Sequence, residues 1–197
     1  MRTWAAHAEA MTHMALLGLD EAARSMADER AFRELMSVFP SGVTVITTRD
    51  RQGRPRGLTC TSICSVSLHP PLLLACLRNG SESLEALLDT GTFAVNLLHA
   101  NGKAAAETFA SATDDRFAQV PWRRTPHRGL PWLHADAHAV AECRVVSSLR
   151  AGDHVVVFGE VGDVIAEPGR PLLYGLRTYA TWCPEESPDG QVIPLRR

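Results

Sequence analysis

The sequence predicts a mainly β protein, an antiparallel barrel with helical insertions, within one domain. Six or seven strand-like runs follow one another at modest spacing, with two or three short helical segments between them. A parallel α/β sheet would instead alternate its strands with longer helices, a pattern that this chain lacks. The length of 197 residues is enough for a single substantial core.

Composition and charge restrict the classes of function. A net charge of −2 argues against nucleic-acid binding, which needs a basic surface to neutralise phosphates. No apolar run approaches the roughly 20 residues of a membrane span. The short stretch Met14–Leu19 lacks a basic leader, so we expect no signal peptide. Five cysteines without CxxC spacing predict buried reduced thiols in a cytoplasmic protein.

The N-terminal part is predicted to form an arm, a helix and a strand. Residues 1–29 are rich in Ala, Met and charge without a fixed apolar period, so we expect a helical or partly disordered arm. Asp28 offers an N-cap for a helix whose apolar residues keep helical spacing up to Pro40. The β-branched run Val43–Thr48 predicts a strand, and Asp50–Pro55 predicts a polar hairpin loop.

The stretch Arg56–Leu77 is the most informative part of the sequence. Its first half follows Gly57 with small hydroxyl residues, and its second half is an apolar run after the Pro70–Pro71 pair. Proline cannot donate to a strand ladder, so the two halves must be separate elements joined at a sharp turn. Small side chains and hydroxyls leave room for a flat ligand and offer it hydrogen bonds. A Ser/Thr-rich edge strand without a ligand is the alternative.

Further strands and short helices complete the predicted barrel. A short helix is expected over Ser81–Leu88, with Ser81 as its N-cap and Gly91 as its C-terminal cap. Asp114–Trp132, which carries several prolines and two tryptophans, is expected to be an irregular excursion. The remaining predicted elements are strands at Thr92–Leu98, Ala137–Ser148, His154–Ile165 and Pro171–Tyr174, and a helix at Lys103–Phe109.

The usual signatures of phosphate loops and hydrolases are absent from the sequence, since it has no GxGxxG after a strand, no GxxxxGK[ST] and no GxSxG. His134, Asp136 and His138 would share one face of an extended segment, as a metal site needs. No further His or Cys has ligand spacing, so we favour a polar strand start and expect no metal. These absences favour a cofactor groove over hydrolytic chemistry.

Two local features are consistent with a cofactor groove. Thr59, Thr61 and Ser62 are expected to donate hydrogen bonds to the polar edge of a ring or to a ribityl chain. The segment Arg78–Ser83 combines a helix start with hydroxyl groups, which suits a phosphate. A plain helix cap is an equally good interpretation of that segment.

Two further features are less specific. Asn96 is polar in an otherwise apolar strand, so it is either a ligand contact or part of the outward face. The sequence Gly152-Asp153-His154 is, taken alone, a hairpin turn whose histidine begins the next strand.

Several motifs in a fixed order resemble the flavin reductase domain family. The resemblance implies a split β-barrel of the FMN-binding, Greek-key-like kind over residues 30–182, with residues 183–197 as a tail. The segments that carry it are SGVTVITT from Ser41, GLTCTS from Gly57, SVSLHPPL from Ser65, FAVNLL from Phe93, GDHVVVFGEV from Gly152 and PLLY from Pro171.

The resemblance implies an enzyme, the homodimeric reductase component of a two-component flavin-dependent monooxygenase. Such a reductase passes a hydride from NADH or NADPH to FMN or FAD and supplies reduced flavin to a separate monooxygenase. One alternative is a flavin-binding carrier or redox sensor without turnover. Another is an oxidase of the pyridoxamine-phosphate type, which would need a basic cluster that is not evident in the sequence.

The resemblance also implies which residues form the site. His154 of the GDH motif is implied as the catalytic residue, placing the nicotinamide and not acting as an acid. We expect backbone amides at Thr59–Ser62 and Ser65–Ser67 to stabilise the reduced flavin, since no cation is obvious there. The motifs and local features together predict as cofactor-binding residues Gly42, Val43, Thr44, Thr59, Cys60, Thr61, Ser62, Ser65, Val66, Ser67, Pro71, Arg78, Ser81, Ser83, Asn96, Gly152 and Asp153.

Two departures from the family pattern are visible. His69 stands where the family usually has an aspartate, which changes the charge near the expected cofactor entrance. Ile63 and Cys64 stand where an aromatic residue is often found, which loosens the expected packing near the ring.

Overall fold

The computed structural model of the protein describes residues 27–113 and 115–183. The predicted N-terminal arm and C-terminal tail lie outside the described residues, apart from residues 27–29 and Cys183. No helix among the described residues has the length and apolar character needed to cross a membrane.

The chain divides into two compact units, with the boundary between Val38 and Phe39. Helix α1 (Glu29–Ser37) belongs to the first unit. It begins at the predicted N-cap, where the Asp28 carboxylate accepts a hydrogen bond from the backbone N–H of Ala31 at 2.7 Å. This arrangement satisfies one of the free N–H groups of the first turn.

The described part of the second unit contains three antiparallel sheets and three short helices. Its helices are α2 (Glu82–Thr90), α3 (Lys103–Ala110) and α4 (Arg116–Gln119). Its strands are β1 (Ser41–Gly42), β2 (Thr44–Arg49), β3 (Pro55–Cys60), β4 (Ile63–Leu68), β5 (Pro71–Arg78), β6 (Thr92–Leu98), β7 (Arg123–Arg124), β8 (Pro131–Trp132), β9 (Ala137–Ala151), β10 (His154–Ala166), β11 (Leu172–Gly175) and β12 (Thr178–Thr181).

The main sheet has seven strands in the order β3-β2-β6-β9-β10-β5-β4. It curls so that its two ends approach each other, with the Cys60 thiol of β3 lying 3.6 Å from the Cys76 carbonyl oxygen of β5. Apolar side chains from six of these strands and from α2 fill the interior. This core includes Ile46, Leu77, Leu87, Phe93, Val95, Cys143 and Val157. The predicted antiparallel, mainly β fold is confirmed.

The predicted break at Pro70–Pro71 is confirmed, because β4 ends at Leu68 and β5 begins at Pro71, with these two residues paired. The hydroxyl-rich half of the same stretch is two strands, not one. Cys60 at the end of β3 pairs with β2, whereas β4 pairs with β5. The chain therefore crosses from one end of the main sheet to the other over residues 61–62.

Local cap signals predicted α2 well. The Ser81 hydroxyl accepts a hydrogen bond from the backbone N–H of Leu84, and Gly91 adopts the left-handed conformation, φ 68°, that ends a helix. The predicted irregular excursion instead holds the short helix α4 and the β7–β8 hairpin. Strand β12 was not predicted.

Candidate functional site

The outer side of the barrel carries a cleft of about 720 Å³, within the usual size of ligand pockets. The walls of the cleft come from β3, the end of β5, the start of α2 and the region of α3 and α4. We call it the arginine cleft, after the residues Arg54, Arg56, Arg78 and Arg116 that line it. Phe109 and Phe117 pack edge to face at 4.9 Å between ring centroids and supply an apolar wall.

Arg116 is the most firmly positioned cation of the cleft. Its guanidinium donates to the Gly57 carbonyl oxygen at 3.0 Å and to the Ser111 carbonyl oxygen at 3.1 Å. Both partners are neutral, so the positive charge of Arg116 stays available for an anion. Arg56 differs, since carboxylate oxygens of Asp50 and Glu82 lie 3.3 Å and 2.9 Å from its guanidinium. No cation is obvious near Thr59–Ser62 in the sequence, but Arg116 lines the same cleft as Thr59, and the role expected for backbone amides there stays a prediction.

The N-terminus of α2 opens into the same cleft. Ser81 and Ser83 both line the cleft, on either side of Glu82. The first turn of a helix presents backbone N–H groups and the positive end of the helix dipole, which favour a phosphate or another anion. The structure therefore combines the predicted Arg78–Ser83 segment with cations from distant parts of the chain.

Thr59 lines the cleft, and its hydroxyl already donates a hydrogen bond within the protein. That hydroxyl donates to the Ala106 carbonyl oxygen of α3 at 2.6 Å. A threonine has one hydroxyl proton, so Thr59 can accept a hydrogen bond from a ligand but not donate one. Thr61 and Ser62 are exposed where the chain crosses between β3 and β4.

A second groove, of about 430 Å³, begins on the other side of Thr59. We call it the tyrosine groove, because Tyr174 and Tyr179 line it. The predicted site residues Val43 and Thr61 also line this groove. Gly42, the last residue of β1, directly precedes Val43. Thr59 contributes to both depressions, so the two are neighbours on one surface.

The GDH motif, Gly152-Asp153-His154, accepts hydrogen bonds from Asn79 in the turn that follows β5. The backbone N–H of Asn79 donates to the Asp153 carbonyl oxygen at 2.9 Å, and its side chain donates to the Gly152 carbonyl oxygen at 3.2 Å. His154 Nδ1 lies 2.8 Å from Asp153 Oδ1. This hydrogen bond lowers the pKa of the Asp153 carboxyl, with the nearby charge of His154 adding to the effect.

Asn96 was expected to contact a ligand or to face outward, and the structure shows a third arrangement. It is fully buried, and its amide nitrogen donates to the Val45 carbonyl oxygen and to Thr47 Oγ1, both at 3.1 Å. Its amide oxygen accepts the backbone N–H of Leu133 at 2.9 Å. Asn96 therefore joins β2 and β6 to the segment after β8, and it is neither outward-facing nor free to bind a ligand.

Other predicted residues also serve the barrel. The buried Thr44 donates to the Cys60 carbonyl oxygen at 2.6 Å. Cys60 lies in the barrel core, where burial raises the pKa of its thiol to about 11. Ser65, Val66, Ser67 and Pro71 lie on the β4–β5 ribbon and line neither the arginine cleft nor the tyrosine groove.

The HADAH segment does not form a ligand set. Within residues 27–113 and 115–183, no group of three or more His, Cys, Asp or Glu side chains is placed to hold a metal ion. Burial raises the pKa of Asp136 and lowers that of His138, so burial disfavours the charged form of both side chains.

Sequence comparison places these features in a known context. A model of the family described as "Flavin reductase like domain" matches residues 36–183. A flavin reductase (NADPH) of Lentzea aerocolonigenes is 53% identical over 159 residues, which cover 81% of this chain and 91% of that protein. A flavin reductase (NADH) of Kitasatospora aureofaciens is 45% identical over 175 residues, covering 88% of this chain and 92% of that protein.

Solved structures agree with the sequence comparison. An NADH:FAD oxidoreductase of Streptomyces globisporus C-1027, in complex with NAD and FAD fragments, superposes with a TM-score of 0.76 at 33% identity, covering 83% of this chain and 100% of that chain. A nitrilotriacetate monooxygenase component B from Mycobacterium thermoresistibile superposes with a TM-score of 0.75 at 35% identity, covering 86% and 93%. The predicted fold is confirmed at this level as well.

Proposed function

Because the chain belongs to the family of flavin reductase like domains, we propose that it is an NAD(P)H-dependent flavin reductase. In this function it transfers a hydride from NADH or NADPH to FMN or FAD. The observation that carries the proposal is the convergence of Arg78, Arg116 and the start of α2 on one cleft. That donor set suits the phosphate of a flavin nucleotide.

The arginine cleft fits a flavin nucleotide in chemistry as well as in size. Arg116 offers a fixed guanidinium whose remaining N–H groups can meet phosphate oxygens, since its present partners are backbone carbonyls. The half-buried ring of Phe117, packed against the buried ring of Phe109, offers apolar surface to a planar group. Ser81 and Ser83 add hydroxyl and backbone groups at the helix start.

The chain's own residues orient the reactants. A bound flavin, when present, supplies the acceptor for the hydride of a reduced nicotinamide. Arg78 lies at the cleft beside the GDH motif, so an anion held there is fixed close to His154. We propose that His154, held by Asp153, positions the nicotinamide and transfers no proton.

The arginine cluster alone does not separate the candidate activities. A pyridoxamine-phosphate-type oxidase would also need cations for its substrate phosphate. The family match and the two relatives named flavin reductase favour the reductase. The monooxygenase component B among the matched structures supports a further proposal, that this chain supplies reduced flavin to a separate monooxygenase.

We also propose that the protein is a homodimer. Residues opposite one another in an antiparallel pair share a face of the sheet, and the outward face of β5, β10 and the end of β9 is largely apolar. Most of these side chains are only half-buried in the single chain. A second copy would cover them, as an apolar interface core requires. They are Leu72, Leu74, Cys76, Leu149, Val156 and Phe158.

We propose that the protein acts in the cytoplasm. All five cysteines are free thiols, and Cys60 and Cys143 are buried in the barrel. Free thiols persist in reducing compartments, where nicotinamide reductants are also supplied.

One assay tests the proposed activity. Purified protein is mixed with NADH or NADPH and with FMN, FAD or riboflavin, and loss of the reduced nicotinamide absorbance is followed. We expect flavin-dependent oxidation of at least one nicotinamide cofactor. A yellow protein that oxidises neither cofactor with any flavin would overturn the reductase proposal and favour a flavin carrier. Light scattering on the same sample tests the dimer.

A further inference from the structure

The tyrosine groove has no role in the proposed function as described so far, which uses the arginine cleft and the GDH motif. It lies between β3, α3 and the β11–β12 hairpin. Because Thr59 lines both it and the arginine cleft, a ligand that reaches across Thr59 can occupy both. The groove is thus placed to hold the far end of a substrate whose reactive end meets the flavin.

One wall of the groove is aromatic. The rings of Tyr174 and Tyr179 lie 5.1 Å apart between centroids, at an interplanar angle of 62°. Both tyrosines are half-buried, so part of each ring faces the groove. Aromatic rings exposed in this way accept a stacked nucleobase irrespective of its identity.

Two cations line the same groove. Lys103, the only lysine among the 197 residues, holds its ammonium 5.8 Å from the centroid of the Tyr179 ring. Its nearest carboxylate is Glu107, at 3.6 Å. Arg177 lines the groove from the other side and takes part in none of the ion pairs found among the described residues. Lys103 and Arg177 are positive and Glu107 is negative, so these three side chains give the groove a net positive charge.

The turn that carries Arg177 is conformationally costly. Leu176 and Arg177 form the two-residue connection between β11 and β12 and have φ values of 51° and 59°. Turns of this type usually place glycine or asparagine at both positions, because other side chains are strained there. Both residues are exposed, Leu176 to 71%, and Arg177 lines the groove. A need for the Arg177 guanidinium in the groove would explain why a non-glycine residue occupies this strained position.

We infer that the tyrosine groove binds the adenosine half of a nicotinamide dinucleotide and that Lys103 and Arg177 recognise a phosphate on its ribose. The chain therefore selects NADPH over NADH, an inference that rests on the proposed reductase function. An acidic side chain alone would favour the ribose 2′-hydroxyl of NADH, whereas a cation accommodates the 2′-phosphate of NADPH. Here Glu107 is paired with Lys103, and Arg177 is left for the phosphate.

Direct binding tests the inference without turnover. Titration calorimetry compares 2′,5′-ADP with 5′-AMP on the purified full chain. We expect 2′,5′-ADP to bind at least about tenfold more tightly, as charge-assisted hydrogen bonds to one phosphate allow. In the Lys103→Gln/Arg177→Asn variant this preference should fall to about twofold or less, with 5′-AMP affinity retained. Equal affinity of the wild type for the two nucleotides would overturn the inference.

A matched control separates the Arg177 side chain from the turn. Asparagine tolerates the left-handed conformation, so Arg177→Asn and Leu176→Asn should both keep the hairpin. Leu176→Asn should keep the nucleotide preference, and Arg177→Asn should lose most of it. Loss of the preference in both variants would assign it to the turn and not to the guanidinium, which overturns the role given to Arg177.

Turnover distinguishes this inference from the proposed function. We expect the kcat/KM ratio of NADPH to NADH to drop at least about tenfold in Arg177→Asn, whereas Leu176→Asn should keep the ratio of the wild type. Active protein without a preference for NADPH overturns the groove assignment and leaves the reductase standing. Protein that oxidises neither cofactor overturns the reductase and with it the selection of NADPH, whereas a calorimetric preference for 2′,5′-ADP would still support the nucleotide site.

Discussion

Arg78 and His154 lie directly opposite one another where β5 pairs with β10. Opposed residues of an antiparallel pair share a face, so the cation of the arginine cleft and the histidine of the GDH motif are neighbours. The chain separates these two residues by 76 positions, and the Asn79 hydrogen bonds to Gly152 and Asp153 hold their turns together. This pairing places an anion site beside the residue proposed to position the nicotinamide.

Replacing His154 with alanine should weaken the nicotinamide contact more than the flavin contact. We expect the apparent KM for the reduced nicotinamide to rise about tenfold, the effect of losing one polar contact, and flavin affinity to change less than about twofold. Steady-state kinetics and flavin fluorescence titration measure the two effects. Unchanged nicotinamide kinetics with lost flavin binding would show that His154 serves the flavin instead.

Replacing Arg116 with glutamine should weaken phosphate recognition selectively. We expect the Kd for FMN to rise about 10- to 100-fold, because a fixed cation is lost, while riboflavin, which has no phosphate, changes little. Fluorescence titration with both flavins measures this difference. Arg54→Gln is the matched control, since Arg54 lines the same cleft but is exposed and paired with Asp50 at 2.8 Å. An equal loss of FMN and riboflavin affinity in Arg116→Gln would assign Arg116 a structural role.

Replacing Asn96 with leucine should destabilise the barrel and leave the site intact. The change removes hydrogen bonds to Val45, Thr47 and Leu133 in a fully buried position, and we expect a loss of about 2–4 kcal/mol in the free energy of unfolding. Urea denaturation measures the loss, and flavin titration of the folded variant should match wild type. Leu97→Ala, at the neighbouring and more exposed position, serves as the control. A stable variant that no longer binds flavin would restore Asn96 to the site.

The two buried thiols predict a loss of stability at alkaline pH. Burial raises the pKa of Cys60 to about 11 and that of Cys143 to about 12, from a usual value of 9.0. The unfolded chain therefore loses these protons first, so their contribution is complete below pH 9 and declines as pH rises towards 11 and 12. At about pH 10 the two thiols together should lower the free energy of unfolding by about 2–3 kcal/mol.

Denaturation at a series of pH values checks this decline. The Cys60→Ala/Cys143→Ala variant is the control, because it should show a flatter stability profile between pH 8 and about 10.5 even though its absolute stability is lower. A decline of equal slope in both proteins would assign the alkaline loss to other groups.

Elements with strong local signals could be predicted from the sequence. The caps Ser81 and Gly91 fixed the helix α2, and the Pro70–Pro71 pair fixed the turn between β4 and β5. Strand β12 carried no comparable signal, because its leading turn uses Leu176 and Arg177 where glycine or asparagine would mark a hairpin.

The site was harder to predict, because its chemistry depends on contacts between distant residues. Arg116 reaches the cleft by bonding to Gly57, 59 positions earlier, and nothing in the sequence near Arg116 indicates this contact. Asn96 was expected to be a ligand contact or part of the outward face, because the partner of its amide oxygen, Leu133, lies 37 positions away in the sequence. The hydroxyl of Thr59 was expected to donate to a ligand, but it donates its hydrogen bond to the Ala106 carbonyl oxygen of α3.

The arginine cleft draws its walls from β3, β5, α2, α3 and α4, so it exists only after the barrel has closed. An unfolded chain holds these groups apart and offers a nucleotide no comparable site. A nucleotide that binds in the cleft binds only the folded chain, so it raises the free energy of unfolding. The increase grows with the logarithm of the nucleotide concentration divided by its Kd. On the proposed function, the supply of flavin should therefore raise the free energy of unfolding as well as the rate of turnover.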